Sequence, residues 1–221
     1  MLKFVATIAT AFFAITAQPV LAADSSEFQL TPANVKQAEM VAQRVAKELS
    51  PLFDREIQVA VIERREATPM ASTVSKLGTC IIIINKTSAA WKNWALFYTR
   101  GQLTAEEIYE FAAVHEVAHC VNKQFTDNAP MKQLSEGRDS ETYADLFALT
   151  HMGQSKQADD MKRIVDSVIH IREGFSGFFA ASHSTSGAIK KVYADLLSTV
   201  PAGRNLQQTL SESINLFQKA A

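Results

Sequence analysis

The chain has 221 residues, a formal net charge of −1, two cysteines and 47% hydrophobic residues. This length fits a single globular domain, because domains usually run to about 100–200 residues. The balanced charge excludes the basic footprint of a nucleic-acid-binding protein. Two cysteines cannot form a disulfide-scaffold fold or a four-thiolate zinc site. We therefore expect a protein with a packed core and no nucleic-acid partner.

The first 22 residues have the pattern of a secretory signal peptide. Lys3 precedes an uncharged apolar run over residues 4–17, and the small residue Ala22 is the expected cleavage site. The alternative is an uncleaved membrane anchor, but the run is shorter than the roughly 20 apolar residues that a spanning helix needs. We predict a signal peptide over residues 1–22 and one domain over residues 23–221, in the periplasm or secreted, without stable membrane insertion after cleavage.

The rest of the chain is predicted to form helices around a small sheet, which is an α+β fold. Thr31 caps a helix whose first turn holds Pro32 and which continues to Leu49. Two β-branched segments over 57–62 and 78–84 predict strands, joined by a loop or short hairpin. Further helices are predicted from capping residues, apolar faces and terminating Gly or Pro. They cover residues 88–97, 104–125, 139–153, 155–172, 187–200 and 205–220.

The most informative residues lie on the helix that begins at Thr104. His115 and His119 are four positions apart, so they project from one face of that helix, one turn apart. Two imidazoles placed in this way can bind one divalent metal ion. Glu116 lies beside them and can act as a general base on a water molecule. The alternative is that the two histidines pack or cap within an ordinary helical core.

Two carboxylates on the next predicted helix strengthen the prediction of a metal site. Glu141 and Asp145 are also four positions apart and share a face, on a helix that is otherwise apolar. An ionised carboxylate is costly there unless it meets a cation or hydrogen-bond donors. A metal ion supplies the cation for Glu141, and an imidazole N–H supplies the donor for Asp145. The alternative is a solvated acidic face at a helix N-terminus, where negative charge is favoured.

His-Glu-x-x-His followed by Glu-x-x-Ala-Asp resembles the gluzincin clan of zinc metallopeptidases, over about residues 108–149. The resemblance implies a mostly helical, zincin-like α+β domain with a small β-sheet and an active-site helix. It implies an exported peptidase that hydrolyses peptide bonds of a peptide or protein substrate with one catalytic Zn2+. Carried over by position, His115, His119 and Glu141 are the zinc ligands and Glu116 is the general base.

The resemblance also assigns supporting roles. Asp145 is the hydrogen-bond partner of a ligand histidine, in the first place His115. Clan members often stabilise the oxyanion with a downstream His or Tyr, for which His183 is the first candidate and Tyr193 the second. The alternative for His183 is an ordinary surface-loop histidine. An edge strand above the zinc binds extended substrate in such folds, and residues 80–84 are either that strand or, given their continuous apolar character, a central one.

The two cysteines and the function each leave alternatives open. In an oxidising compartment Cys80 and Cys120 can form a disulfide, and otherwise both are buried free thiols. Besides a peptidase, the sequence allows a non-catalytic zinc protein whose ligands form a structural clamp. It also allows a helical periplasmic interaction protein in which the histidine motif is accidental. Zinc content and peptide hydrolysis distinguish these three classes.

Overall fold

Helices and strands of the computed structural model follow the predicted α+β pattern, with helix predominating over a small mixed sheet. The structure describes residues 31–64, 68–88, 102–125, 138–174, 184–198 and 205–221. The predicted signal peptide, residues 89–97 of the predicted helix over 88–97, and His183 lie outside these ranges. The helices are α1 (Pro32–Leu49), α2 (Ala105–Phe125), α3 (Arg138–Met152), α4 (Ala158–Glu173), α5 (Ser186–Lys191), α6 (Tyr193–Ser198) and α7 (Leu206–Ala220), and the strands are β1 (Gln58–Ile62), β2 (Met70–Val74) and β3 (Cys80–Asn85).

The three strands form one sheet in the order β1-β3-β2. β1 is parallel to β3, and β2 is antiparallel to it. The central position of β3 agrees with its continuous apolar sequence, because Ile82 and Ile84 are fully buried on one face and Ile81 and Ile83 are partly buried on the other. The interpretation of residues 80–84 as a central strand is therefore confirmed.

The strand that borders the helices, β2, is missing from the sequence prediction, which has only a loop or short hairpin there. β2 and β3 form an antiparallel hairpin whose turn runs from Ser75 to Gly78. Gly78 has a φ of +81°, a conformation that side chains with a Cβ rarely adopt. The Ser75 hydroxyl accepts hydrogen bonds from the backbone N–H groups of Leu77 and Thr79. This side-chain turn stabilises the hairpin that brings β2 against α2.

Helix α2 occupies the middle of the structure and packs against α1, α3 and β2. Its start is fixed by a capping box, in which the Glu107 N–H donates to the Thr104 hydroxyl and the Thr104 N–H donates to the Glu107 carboxylate. Its fully buried residues include Tyr109, Val114 and Val117. Because α2 packs against several elements, its partly buried residues Glu116 and His119 are held in a fixed position relative to α3 and β2.

Two helical boundaries differ from the prediction. The segment 187–200 forms the two short helices α5 and α6 rather than one, because buried Val192 leaves helical geometry with φ −108° and ψ 16°. Helix α4 begins at Ala158 with Gln157 as its cap, not at Ser155. The backbone N–H of Ser155 instead closes a turn onto the carbonyl of Met152. Among the described residues, no helix has both the length and the apolar character that a membrane span requires.

Candidate metal centre

Three side chains from two helices converge on one point. His115 and His119 come from α2, and Glu141 comes from the first turn of α3. The Nε2 atoms of the two histidines lie 3.1 Å apart. The Glu141 carboxylate approaches Nε2 of His115 at 3.3 Å and Nε2 of His119 at 3.4 Å. These three side chains form a group that could hold a metal ion.

Asp145 holds the imidazole ring of His115 through Nδ1, the ring nitrogen that does not face the cluster. Its Oδ1 lies 2.9 Å from Nδ1 of His115, one helical turn beyond Glu141 on α3. Because the ionised carboxylate of Asp145 only accepts hydrogen bonds, Nδ1 of His115 carries a hydrogen, and Nε2 is the ring nitrogen that faces the cluster. Partners of this kind set the tautomer and orientation of a metal-binding histidine. The predicted contact between Asp145 and His115 is present in the structure.

Asp145 is itself held by two residues that the sequence analysis did not identify. Arg172, near the end of α4, donates from Nε to Oδ2 at 2.8 Å and from Nη2 to Oδ1. The hydroxyl of Thr185 donates to Oδ2 at 2.5 Å. Burial raises the pKa of Asp145, but the Arg172 charge and the contact with His115 outweigh burial and lower that pKa to about 2. Asp145 is therefore an anion although it is fully buried.

His119 has a different partner, Ser140, which directly precedes Glu141. Nδ1 of His119 lies 3.1 Å from the Ser140 hydroxyl oxygen, and the side-chain amide of Asn122 donates to the same oxygen at 3.3 Å. A serine oxygen has two acceptor lone pairs, so it can accept from both groups. With Nδ1 engaged in this way, Nε2 of His119 is directed to the cluster.

The surroundings of the cluster favour positive charge within it. Burial by itself lowers the pKa of His115, but Asp145 and Glu141 outweigh it and raise that pKa to about 10. Burial likewise raises the pKa of Glu141, but its contacts with both imidazoles hold that pKa far below the usual range. Lone pairs that face one another across about 3 Å repel unless a cation lies between them. A proton or a metal ion meets that requirement.

Glu116 lies next to the ligands on α2 and contacts the sheet. The hydroxyl of Ser72, on β2, donates to Oε2 of Glu116 at 3.0 Å. Both side chains are half-buried, so the carboxylate borders the site and remains accessible. The geometry therefore provides a carboxylate beside the candidate metal ligands that is not one of them.

A disulfide joins the sheet to the helix that carries the ligands. Cys80, the first residue of β3, is bonded to Cys120, which directly follows His119, and their Cα atoms are 5.7 Å apart. Both cysteines are buried. Of the two alternatives left open by the sequence, bonded cysteines or free thiols, the structure contains the bonded pair.

The two oxyanion candidates have different outcomes. His183 lies outside the described residues. The hydroxyl of Tyr193 donates to Asp166 on α4 at 2.7 Å, so it is engaged on the exposed side of that helix. Among the described residues, the structure thus brings His115, His119, Glu141 and Asp145 together, has Glu116 on the same helix in contact with Ser72, and leaves Tyr193 in another contact.

Comparison of the chain with protein-family models, with curated proteins and with solved structures yields no match. The likeness to gluzincins is therefore carried only by the motif residues on α2 and α3.

Proposed function

We propose that the protein is a zinc-dependent peptidase that hydrolyses peptide bonds. The observation that carries the proposal is the convergence of two imidazole nitrogens and one carboxylate, with Glu116 beside them as a further carboxylate. Two histidines and one glutamate are a donor set typical of catalytic zinc. Calcium and magnesium, by contrast, prefer sites made of oxygen ligands.

The distances are compatible with a zinc ion between the three side chains. Zinc ligand atoms at the usual distances of about 2.0–2.2 Å from the ion lie roughly 3.3 Å from one another. Nε2 of His115 and Nε2 of His119 are 3.1 Å apart, and the Glu141 carboxylate offers Oε2 to His115 at 3.3 Å and Oε1 to His119 at 3.4 Å. One ligand atom from each residue lies within 4.8 Å of the other two, and Asp145 and Ser140 hold both imidazoles with Nε2 toward the cluster.

The ligand count favours catalysis over a structural clamp. Structural zinc sites are closed by four protein ligands, whereas catalytic sites use three and keep a position for water or substrate. In the described part of the chain, the cluster consists of His115, His119 and Glu141, with no fourth His, Cys, Asp or Glu. Glu116 has a function in the catalytic alternative and none in a structural clamp.

The residues divide the reaction between them. Bound zinc supplies Lewis-acid polarisation of a peptide carbonyl and activation of water. Glu116 accepts a proton from the attacking water while the water oxygen forms a bond to the carbonyl carbon of the peptide. The same carboxyl group then delivers that proton to the leaving amine as the C–N bond breaks. Asp145 stays ionised throughout, because the positive charge of Arg172 stabilises its carboxylate, and it therefore holds His115 in one orientation.

The substrate is proposed to lie along β2. This strand is at the edge of the sheet, beside α2, and its Ser72 contacts Glu116. An extended peptide that pairs with the main chain of an edge strand gains hydrogen bonds that do not depend on its sequence. The peptide or protein substrate is therefore expected to bind in extended form next to the general base.

An exported location is proposed for the mature protein. The apolar pattern of residues 1–22 and the disulfide between Cys80 and Cys120 both support it, because disulfides persist in oxidising compartments. N-terminal sequencing of the protein recovered from the bacterial periplasm or medium tests this proposal. A chain that begins at residue 23 is the expected result, and retention in the cytosol with residues 1–22 intact contradicts it.

The function is tested by zinc stoichiometry and by cleavage of an unbiased peptide library. We expect one zinc ion per chain and hydrolysis that stops when the metal is chelated. Glu116→Gln should retain zinc and lose turnover, because the amide cannot accept the proton. Glu106→Gln is the matched control, since Glu106 is an exposed carboxylate earlier on the same helix.

Each contrary result identifies another class of protein. Stoichiometric zinc without hydrolysis indicates a non-catalytic zinc protein. Absence of zinc binding indicates that the histidine motif is accidental and that the chain is a helical interaction protein. Hydrolysis that survives Glu116→Gln contradicts the assignment of Glu116 as the general base.

A further inference from the structure

The hydrogen bond between Ser72 and Glu116 links the substrate-side strand to the helix of metal ligands. We propose that Ser72 is the positioning residue of the general base, an inference that rests on the proposed peptidase function. The Ser72 hydroxyl donates to Oε2 of Glu116 at 3.0 Å, across 44 positions of sequence. No motif of the sequence contains Ser72, so the contact follows only from the fold.

One fixed oxygen is sufficient to orient the carboxylate. A free glutamate side chain samples many rotamers, and each proton transfer needs one of its oxygens at hydrogen-bond distance from the reacting water. Ser72 occupies a lone pair of Oε2, which fixes the torsion of the carboxylate and leaves Oε1 to accept the proton. Displacements of about 1 Å in such groups cost up to about 100-fold in rate.

The donor is attached to a rigid part of the structure. β2 is paired along its length with β3, with Ser72 opposite Ile82 and Val74 opposite Cys80. Cys80 is bonded to Cys120 on α2, and the sulfur of Cys120 lies 3.8 Å from the carbonyl oxygen of Thr73. The disulfide thus ties α2, which carries the acceptor, to β3, the strand with which the donor's strand β2 is paired. This arrangement keeps the strand and the helix from sliding past each other.

Two substitutions at position 72 separate the effect of the hydroxyl group from the effect of side-chain shape. Ser72→Thr keeps a hydroxyl, whereas Ser72→Val has the shape of threonine without the hydroxyl. Both β-branched side chains suit a strand. With zinc-loaded protein, Ser72→Val is expected to lower kcat about ten-fold with KM little changed, and Ser72→Thr to recover most of the loss. Zinc content should be the same in both variants, because Ser72 contacts no metal ligand in the cluster.

A second measurement is independent of turnover. In a double-mutant cycle on the unfolding of the zinc-loaded protein, Ser72→Ala and Glu116→Ala are made singly and together. A hydrogen bond between the two side chains predicts that their effects are non-additive, with a coupling of about five-fold in the unfolding equilibrium constant. Additive effects overturn the contact on which the inference is based.

The outcomes distinguish the two proposals. If Ser72→Val turns over like Ser72→Thr while Glu116→Gln is inactive, the positioning role is wrong and the peptidase function stands. If zinc-loaded wild-type protein cleaves no peptide, the proposed function fails and the positioning role fails with it. A kcat loss in Ser72→Val that Ser72→Thr recovers supports both.

Discussion

Arg172 contacts both oxygens of Asp145, with Nε at 2.8 Å from Oδ2 and Nη2 bonded to Oδ1. Both residues are buried, and the pair joins the end of α4 to the middle of α3. Asp145 in turn accepts from Nδ1 of His115. The orientation of a candidate metal ligand on α2 is therefore set by a guanidinium two helices away. This bidentate geometry is available to arginine and not to lysine.

Removal of this guanidinium should weaken metal binding as well as stability. Arg172→Gln leaves Asp145 buried without its cationic partner, a change that typically costs about 3–5 kcal/mol. Because Asp145 then orients His115 less well, zinc affinity should fall by about 10–100-fold. Thermal unfolding and competition with a zinc chelator measure the two effects.

Arg163→Gln is the control for this experiment. Arg163 lies on the same helix and also pairs with a buried carboxylate, that of Glu107, at the far end of α2 from the ligands. The Arg163→Gln variant should be less stable than the wild type but should bind zinc with the same affinity. Equal zinc affinities in the two variants contradict a role for Arg172 in orienting His115.

Glu141 is expected to be the third ligand. Glu141→Ala removes the only carboxylate of the cluster, so zinc affinity should fall by more than about 100-fold, beyond the loss typical of outer partners. Asp139→Asn is the matched control, because Asp139 is an exposed carboxylate in the same first turn of α3. Isothermal titration with zinc measures both. An unchanged affinity in Glu141→Ala means that the third ligand lies elsewhere.

The parts of the site that could be predicted from the sequence are those that depend only on residue spacing within one helix. The spacing of His115 and His119 requires only that α2 be helical, and Thr104 with Glu107 indicates where α2 begins. Glu141 and Asp145 follow the same rule on α3. Once two such helices pack against each other, the four side chains can meet without further information from the rest of the chain.

The parts that were missed depend on long-range packing. Ser72 is one serine on a strand of mixed composition, and only the hairpin with β3 places it on Glu116. Arg172 did leave a trace in the sequence: it follows Ile164 and Val168 at four-residue spacing, so it continues the buried stripe of α4. A charged residue at a core position indicates a buried partner, although it does not identify Asp145 as that partner.

The disulfide should contribute strongly to stability. Cys80 and Cys120 are 40 positions apart. A cross-link over a loop of this length lowers the entropy of the unfolded chain, which stabilises the folded state by about 4 kcal/mol at 25 °C. Denaturant unfolding with and without a thiol reductant measures the effect. The Cys80→Ala/Cys120→Ala double variant is the control, because its stability should not depend on the reductant. Equal stability of oxidised and reduced wild-type protein contradicts the prediction.

The start of α2 should be sensitive to acid. Arg163 donates to both oxygens of Glu107, at 2.6 and 3.0 Å. Burial raises the pKa of Glu107, but Arg163 and the Thr104 cap outweigh burial and hold the pKa below its ordinary value of 4.5. The folded state therefore binds this proton less readily than the unfolded state. The resulting stabilisation is complete above about pH 4.5 and is lost as the pH falls through the lowered pKa.

Glu107→Gln measures that contribution. The variant should be less stable than the wild type by about 2 kcal/mol at pH 7, because it loses two charge-assisted hydrogen bonds. The difference should narrow as the pH falls below about 4.5, because the unfolded wild-type chain then takes up the proton, and it should reach its minimum once the pH is below the lowered pKa and the folded carboxyl is neutral like the amide. Glu106→Gln, at the exposed neighbouring position, should change stability by less than about 1 kcal/mol at any pH. A Glu107→Gln difference that stays constant from pH 7 to pH 3 contradicts an ionised, paired Glu107.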